Sequence, residues 1–202
     1  MVKTVEFVFD FGSPNAYLAY KVLPEVLART GAEQKLSPCL LGGIFKATGN
    51  SSPITAYAGV PAKLKYQMLE IRRFIAKHRL VKFKMNPHFP VNTLLIMRGL
   101  TAVMMAGDAA DYVEAVLRGM WEDGLKMDDP AVVTALLNGA GMDGAGILAR
   151  TQEPDVKQQL AENTESAVAR GAFGIPTFFV GAEMFFGKDK LAQVEEALMQ
   201  LG

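Results

Sequence analysis

The chain of 202 residues contains a single cysteine, Cys39. One thiol excludes both a disulfide within the chain and a CxxC redox pair. Only two histidines are present, His78 and His88. With Cys39 they show no metal-ligand spacing, and no metal is expected. Neither histidine lies in a motif that would activate a serine, and there is no GxSxG elbow, which argues against acyl transfer. Net charge is zero, with 21 acidic and 21 basic residues. No basic stripe interleaved with aromatics is present, so nucleic acid is not an expected partner. No apolar run reaches the roughly 18–20 residues that span a bilayer. Lys3 and Glu6 interrupt the first apolar stretch, so no secretory signal is expected there. These absences describe a cytoplasmic enzyme that works without membrane, metal or nucleic acid.

What is present is apolar and orderly. Half of the residues are hydrophobic, enough for a sizeable core in one large domain or a domain with an insertion. Residues 4–11 (TVEFVFDF) read as a buried strand, 14–29 as a helix and 34–41 as a second strand. Such a β-α-β unit implies parallel pairing through a crossover helix. From 42 to about 170 the pattern is almost entirely helical. Helices are expected from Pro61 to about Arg79, from Pro90 to about Ala106, and from Asp108 or Asp111 to about Glu122. Further helices are expected from Pro130, from Met142 and from Glu153, the last reaching Arg170. Residues 176–180 and 183–186 read as strands around a Gly181-Ala182 turn, followed by a closing helix from Lys188 to Gln200. The expected fold is α/β and thioredoxin-like with a large all-helical insertion. Residues 1–41 plus 171–202 would make the thioredoxin-like domain and 42–170 the inserted one. The 11 methionines recur at helical spacing and read as core filler.

On that frame Ser13 occupies the place of a thioredoxin's reactive cysteine. Ser is a preferred N-cap and Pro14 suits the first helical position. Ser13 therefore stands at the positive end of a helix dipole, where an anion is stabilised. A hydroxyl there can donate to a thiolate, and both effects lower a thiol pKa from about 8.5 toward neutrality. A thiol site without its own thiol implies that the sulfur arrives from outside, and glutathione is the expected cofactor. The competing reading of Ser13 is an ordinary helix cap, and that of Cys39 a small buried hydrophobe.

Three further clusters carry chemistry. Ile175-Pro176 opens a core strand; a cis proline there would turn the backbone of Ile175 outward to pair with an extended peptide. Gly187-Lys188-Asp189-Lys190 begins the last helix, where first-turn N–H groups suit a carboxylate and Asp189 suits an ammonium. The alternative is a capped, solvated helix start. Leu41-Gly42-Gly43-Ile44-Phe45-Lys46 allows tight turns. Lys46, Asn50 and Lys63 offer donors for carboxylates.

The strand-GSP-helix start, LGGIFKATGN, PAK, HFPVNTLLIMR, GAFGIPTF and FFGKDKL occur in the order found in the kappa-class glutathione transferases of the DsbA-like thioredoxin superfamily. The chain resembles that class over essentially its whole length. GSPNAYLAY is more similar to its isomerase branch than to eukaryotic transferases, which tend toward SPYSW. The resemblance implies a glutathione-dependent homodimer. The implied reaction interconverts 2-hydroxychromene-2-carboxylate and trans-o-hydroxybenzylidenepyruvate in naphthalene-type catabolism, by thiolate addition, bond rotation and elimination. It implies that Ser13 bonds the glutathione sulfur and that Ile175, before Pro176, pairs with the cysteinyl backbone. It implies further that Asn50 and Lys63 lie near the tripeptide, with Gly187, Lys188 and Asp189 at its glutamyl end. The small aromatic carboxylate would be held from among Lys46, Asn50, Tyr57, His88 and Asn92. Two other readings stay open: a kappa-type transferase that conjugates glutathione to electrophiles, and a non-catalytic thioredoxin-fold binding or chaperone module.

Overall fold

Strand β1 (Thr4–Phe9) is rich in β-branched and aromatic residues and is almost wholly buried, as a central strand requires. The computed structural model describes residues 2–201. Beyond β1 the chain runs through α1 (Pro14–Thr30), β2 (Glu33–Pro38), α2 (Leu41–Thr48), α3 (Pro53–Ala56) and α4 (Pro61–His78). It continues with α5 (Leu94–Ala106), α6 (Ala110–Trp121), α7 (Pro130–Gly139), α8 (Gly144–Arg150) and α9 (Pro154–Ala169). It closes with β3 (Thr177–Val180), β4 (Glu183–Phe186) and α10 (Leu191–Gln200). The sheet order is β2-β1-β3-β4. β1 pairs parallel to β2, with Phe7 opposite Leu36, and antiparallel to β3, with Phe7 opposite Phe178. This is the α/β thioredoxin-like frame expected, with helices α2–α9 entering between β2 and β3.

Several boundaries differ from the sequence reading, each for a local reason. β1 ends at Phe9 rather than residue 11, because the Asp10 carboxylate turns back to accept the Gly12 N–H at 2.8 Å. The glycine-rich segment after β2 is a helix rather than a set of turns. Its first residue, Leu41, donates its N–H to the other Asp10 oxygen at 2.8 Å, a cap from a distant part of the chain. No helix begins at Pro90. The Phe89–Pro90 bond is cis, and α5 begins at Leu94, whose N–H is accepted by the Asn92 side chain at 3.0 Å. The preceding loop is held by buried Asn86. Its amide donates to the Met120 and Leu125 carbonyls and its oxygen accepts the His88 N–H, all at 2.8 Å. The short helix expected from Met142 begins at Gly144, capped by Asp143. The closing helix is preceded by a 3-10 turn over Lys188–Lys190.

One buried apolar cluster joins the sheet to the helices: Phe7, Phe9 and Phe178 with Leu18 and Leu23 of α1, Ile96 of α5 and Trp121 of α6. An aromatic chain carries it across, Phe7 to Phe9 to Phe11 edge to face at 5.4 and 4.9 Å between centroids, then Phe11 to Tyr112 at 6.2 Å. Each such ring, fully buried, contributes about 1.5–3 kcal/mol. The segment carrying Ser13 therefore leaves the densest part of the molecule. Among the described residues no helix is long and apolar enough to cross a membrane.

Candidate active site

The site is built where β1 hands over to α1. Trp121 donates its indole N–H to the Phe11 carbonyl at 2.8 Å. The Thr93 side chain lies so close to Gly12 that a Cβ there would stand 3.0 Å from its methyl. Asp10, buried beneath, ties this turn to the start of α2. Burial pushes the Asp10 carboxyl above its usual range, against the opposing pull of the Leu41 and Gly12 N–H groups and Thr93. Four parts of the chain thus fix the backbone from which Ser13 projects.

Ser13 caps α1. Its Oγ accepts the Ala16 N–H at 3.2 Å and donates to the Ile175 carbonyl at 2.9 Å. Pro14 occupies the first helical turn. The Ile175–Pro176 bond is cis. Around it four successive carbonyls are each bonded: Phe173 by Asn50 Nδ2 at 2.8 Å, Gly174 by Thr177 Oγ1 at 2.7 Å, Ile175 by Ser13, and Pro176 by the Gly187 N–H at 2.9 Å. No acceptor among the described residues meets the Ile175 N–H. The loop is rigidly held while one of its backbone donors stays available, the arrangement that lets an extended peptide pair with it.

A cleft of about 540 Å³ opens beside the N-terminus of α1. Tyr57, Lys63, Lys188 and Asp189 line it together, although they come from three separate stretches of sequence. The Lys63 ammonium lies over the Tyr57 ring, 4.9 Å from its centroid. Lys188 is buried, with 4% exposure. Its ammonium bonds both oxygens of Asp189 at 2.8 and 3.0 Å and lies 5.1 Å from the Phe74 ring centroid. The expected ammonium partner of Asp189 is thus first of all its own neighbour.

The other named residues fall outside this cleft. Asn50 is exposed and braces the cis-proline loop through Phe173, while its Oδ1 accepts the Ser51 N–H. His88 and Asn92 are exposed on the loop before α5. Lys46 is exposed on α2. Among the described residues no cluster of three His, Cys, Asp or Glu side chains is placed to hold a metal. The reading of sequence assigned no role to Asp10, Thr93 or Trp121. Of these, Asp10 alone carried a local signal, as a lone carboxylate at the end of an apolar strand.

A helix-capping serine facing a cis-proline loop on a thioredoxin-type sheet defines the class of site. The chain belongs to the DsbA-like thioredoxin domain family, which it matches over residues 4–199. It is similar to 2-hydroxychromene-2-carboxylate isomerase of Sphingobium xenophagum, with 28% identity over 201 residues covering 98% of this chain and 100% of that protein. It is similar also to glutathione S-transferase kappa 1 of Rattus norvegicus, with 30% identity over 204 residues covering 94% of this chain and 88% of that protein. A solved structure of a 2-hydroxychromene-2-carboxylate isomerase matches the fold with a TM-score of 0.82 at 26% identity, over 98% of this chain and 95% of that one.

Proposed function

We propose that this protein is a glutathione-dependent isomerase that interconverts 2-hydroxychromene-2-carboxylate and trans-o-hydroxybenzylidenepyruvate in aromatic catabolism. The observation that carries the reading is the pairing of Ser13 with Ile175: a hydroxyl donor at a helix N-terminus, set against a backbone that has a free N–H. The chain's own thiol cannot serve, since Cys39 is buried and bonded to the Asn163 carbonyl. The residues present fit glutathione. Ile175 offers the backbone donor, Ser13 the hydroxyl for sulfur, and the cleft beside α1 offers Lys63, Lys188 and Asp189 for charged ends. When bound, glutathione supplies a reversible sulfur nucleophile that lets a conjugated double bond rotate and is returned unchanged.

The protein's part is electrostatic and positional. Ser13 turns its hydroxyl from the Ile175 carbonyl toward an anion, and the N–H groups opening α1 add their field. The released carbonyl is then free to accept a peptide N–H. Asn92 spends its oxygen on the Leu94 N–H at the start of α5, so its NH2 remains a donor for a carboxylate or enolate oxygen. His88, Lys46, Tyr57 and the unspent N–H of Asn50 are the other candidates for the substrate's oxygens. A homodimer in the cytoplasm belongs to the same proposal.

The test is an absorbance assay on 2-hydroxychromene-2-carboxylate with and without glutathione, followed by recovery of the thiol. Isomerisation that needs glutathione and returns it unmodified supports the reading. Consumption of glutathione into an adduct indicates the transferase, a reading favoured by the similarity to glutathione S-transferase kappa 1. Absence of binding to either small molecule indicates a non-catalytic module.

A further inference from the structure

The chain is neutral as a whole but not along its length. Residues 61–107 carry nine Lys and Arg against one acidic residue, Glu70, whereas residues 108–202 carry 16 acidic against seven basic residues. Most of the positive excess lies in α4 and the loop that follows it. Lys65, Arg72, Lys77, Arg79, Lys82 and Lys84 are all exposed there, and among the described residues none meets a carboxylate within ion-pair distance. Nucleic acid is a poor fit to this stretch. Phe74 is buried and the Phe83 ring packs on Tyr17, so no row of rings is left for bases to stack on. What gives the stretch a use is that both of its ends return to the active site. Lys63, at the start of α4, lines the cleft that also touches Asn15. At the other end Phe83, between Lys82 and Lys84, sets its ring 5.5 Å from that of Tyr17, and Lys84 donates its N–H to the Trp121 carbonyl. Asn15 and Tyr17 are two residues apart on α1 and so face opposite ways, which puts cations on both sides of the turn that carries Ser13. Of the carboxylates on these elements, Glu70, Asp123 and Asp189 are paired with Arg73, Arg118 and Lys188. Glu122 alone keeps its charge, against the Tyr17 hydroxyl.

We propose that Lys65, Lys82 and Lys84 steer anionic reactants onto the Ser13 site by long-range attraction, without touching them. The proposal rests on the glutathione reading above and specifies how the reactants arrive. Glutathione carries two carboxylates against one ammonium, and the aromatic substrate carries one carboxylate, so each is a net anion near neutral pH. An anion approaching the N-terminus of α1 has Lys65 on the cleft side and Lys82 and Lys84 on the Tyr17 side. The low-dielectric body of the protein between them focuses the field on the turn. Anionic partners therefore reach the site faster than neutral molecules of the same size.

Stopped-flow mixing of the whole protein with glutathione, read by thiolate absorbance, tests this. At an ionic strength of about 0.01 M, where charges act over about 30 Å, the combined variant Lys65→Glu, Lys82→Glu and Lys84→Glu is expected to bind glutathione roughly tenfold more slowly than the wild type. Its dissociation rate is expected to be unchanged. At about 1 M salt, where the range falls to about 3 Å, the two association rates are expected to converge. The matching set of Lys→Gln changes is expected to fall between them, which guards against a misfolded reversal variant. The glycyl monoethyl ester of glutathione has no net charge and is expected to associate with all three proteins at one rate. A wild-type association rate that ignores salt overturns the steering alone. So does an equal slowing of glutathione and its ester, or a loss of affinity that lies wholly in dissociation. A wild type that binds neither probe overturns the glutathione reading itself, and the steering with it.

Discussion

Ser13 and Ile175, 162 residues apart, are joined by a hydrogen bond of 2.9 Å from the serine hydroxyl to the isoleucine carbonyl. The bond sets both groups of the site against each other in the free protein. The serine's single O–H cannot be given to a ligand until it leaves the carbonyl, which keeps a second lone pair of its own. Binding of a thiol peptide is then an exchange of partners rather than a net gain of two bonds, and removal of the serine acts on the two halves of the exchange differently.

Ser13→Ala should therefore separate affinity from activation. The Ile175 carbonyl is freed, so the backbone pairing with glutathione is not weakened. The hydrogen bond to the sulfur anion is lost, worth about 1.5–3 kcal/mol. At about 1.4 kcal/mol per unit, the bound thiol pKa should rise by roughly one to two units. Loss of the α1 cap should also lower stability by about 1 kcal/mol. Ultraviolet thiolate absorbance of the glutathione complex against pH measures the shift. Activity near pH 7 should fall and return in part at higher pH. An unchanged thiol pKa with full activity would leave Ser13 a helix cap and nothing more.

The pair Lys188–Asp189 is lopsided, with one side chain 4% exposed and the other 66%. Asp189→Ala leaves a buried ammonium over Phe74 without its carboxylate. It should destabilise the fold by about 1–3 kcal/mol and also weaken glutathione binding by about 1.5–3 kcal/mol. Lys188→Met combined with Asp189→Ala places an apolar chain over Phe74 and should recover stability without recovering affinity. Urea denaturation and calorimetry on both variants check this. A double variant that recovers both would show that Asp189 acts on the ligand only through the fold.

Much of this site was legible in the sequence because its chemistry is local. Ser13 and Pro14 are start signals of α1, and they hold wherever that helix is placed. Lys188, Asp189 and Lys63 stand out in sequence as charged residues at two helix starts and meet in one cleft only after folding. Pro90 misled for the opposite reason. A proline ahead of an apolar-periodic run imitates a helix start, while the force that keeps 86–93 a loop is buried Asn86, bonded to residues 34 and 39 positions away. The Gly42-Gly43 pair read as turns because its cap, Asp10, lies 31 residues upstream.

Cys39 should be silent toward thiol reagents in the native protein. Burial raises its thiol pKa to about 12 and the side chain has no exposed surface. Native protein at pH 8 is expected to resist a chromogenic disulfide reagent for hours and to react fully once unfolded in guanidinium. Rapid native labelling would put the strand end around Cys39 in solvent, contrary to the structure.

Asp10 carries the clearest pH prediction. Its folded-state pKa is raised from 3.8, with burial as the main cause. Between 3.8 and the raised value the folded protein holds a proton that the unfolded chain has released. The proton-linked stability is therefore full below about 3.8 and is lost as pH climbs through the folded value. Asp10→Asn cannot titrate. It keeps one acceptor for the N–H groups of Gly12 and Leu41 and turns an NH2 toward the other, a cost of about 1–3 kcal/mol that does not vary with pH. The stability advantage of wild type over Asp10→Asn should consequently shrink as pH rises from 3.8 and then level off. Urea midpoints of both proteins from pH 3.5 to 7.5 measure it. A gap that stays constant, or that widens with pH as a depressed carboxylate pKa would make it, would show that the Leu41 and Gly12 N–H groups outweigh burial and hold Asp10 ionised beneath the active-site turn.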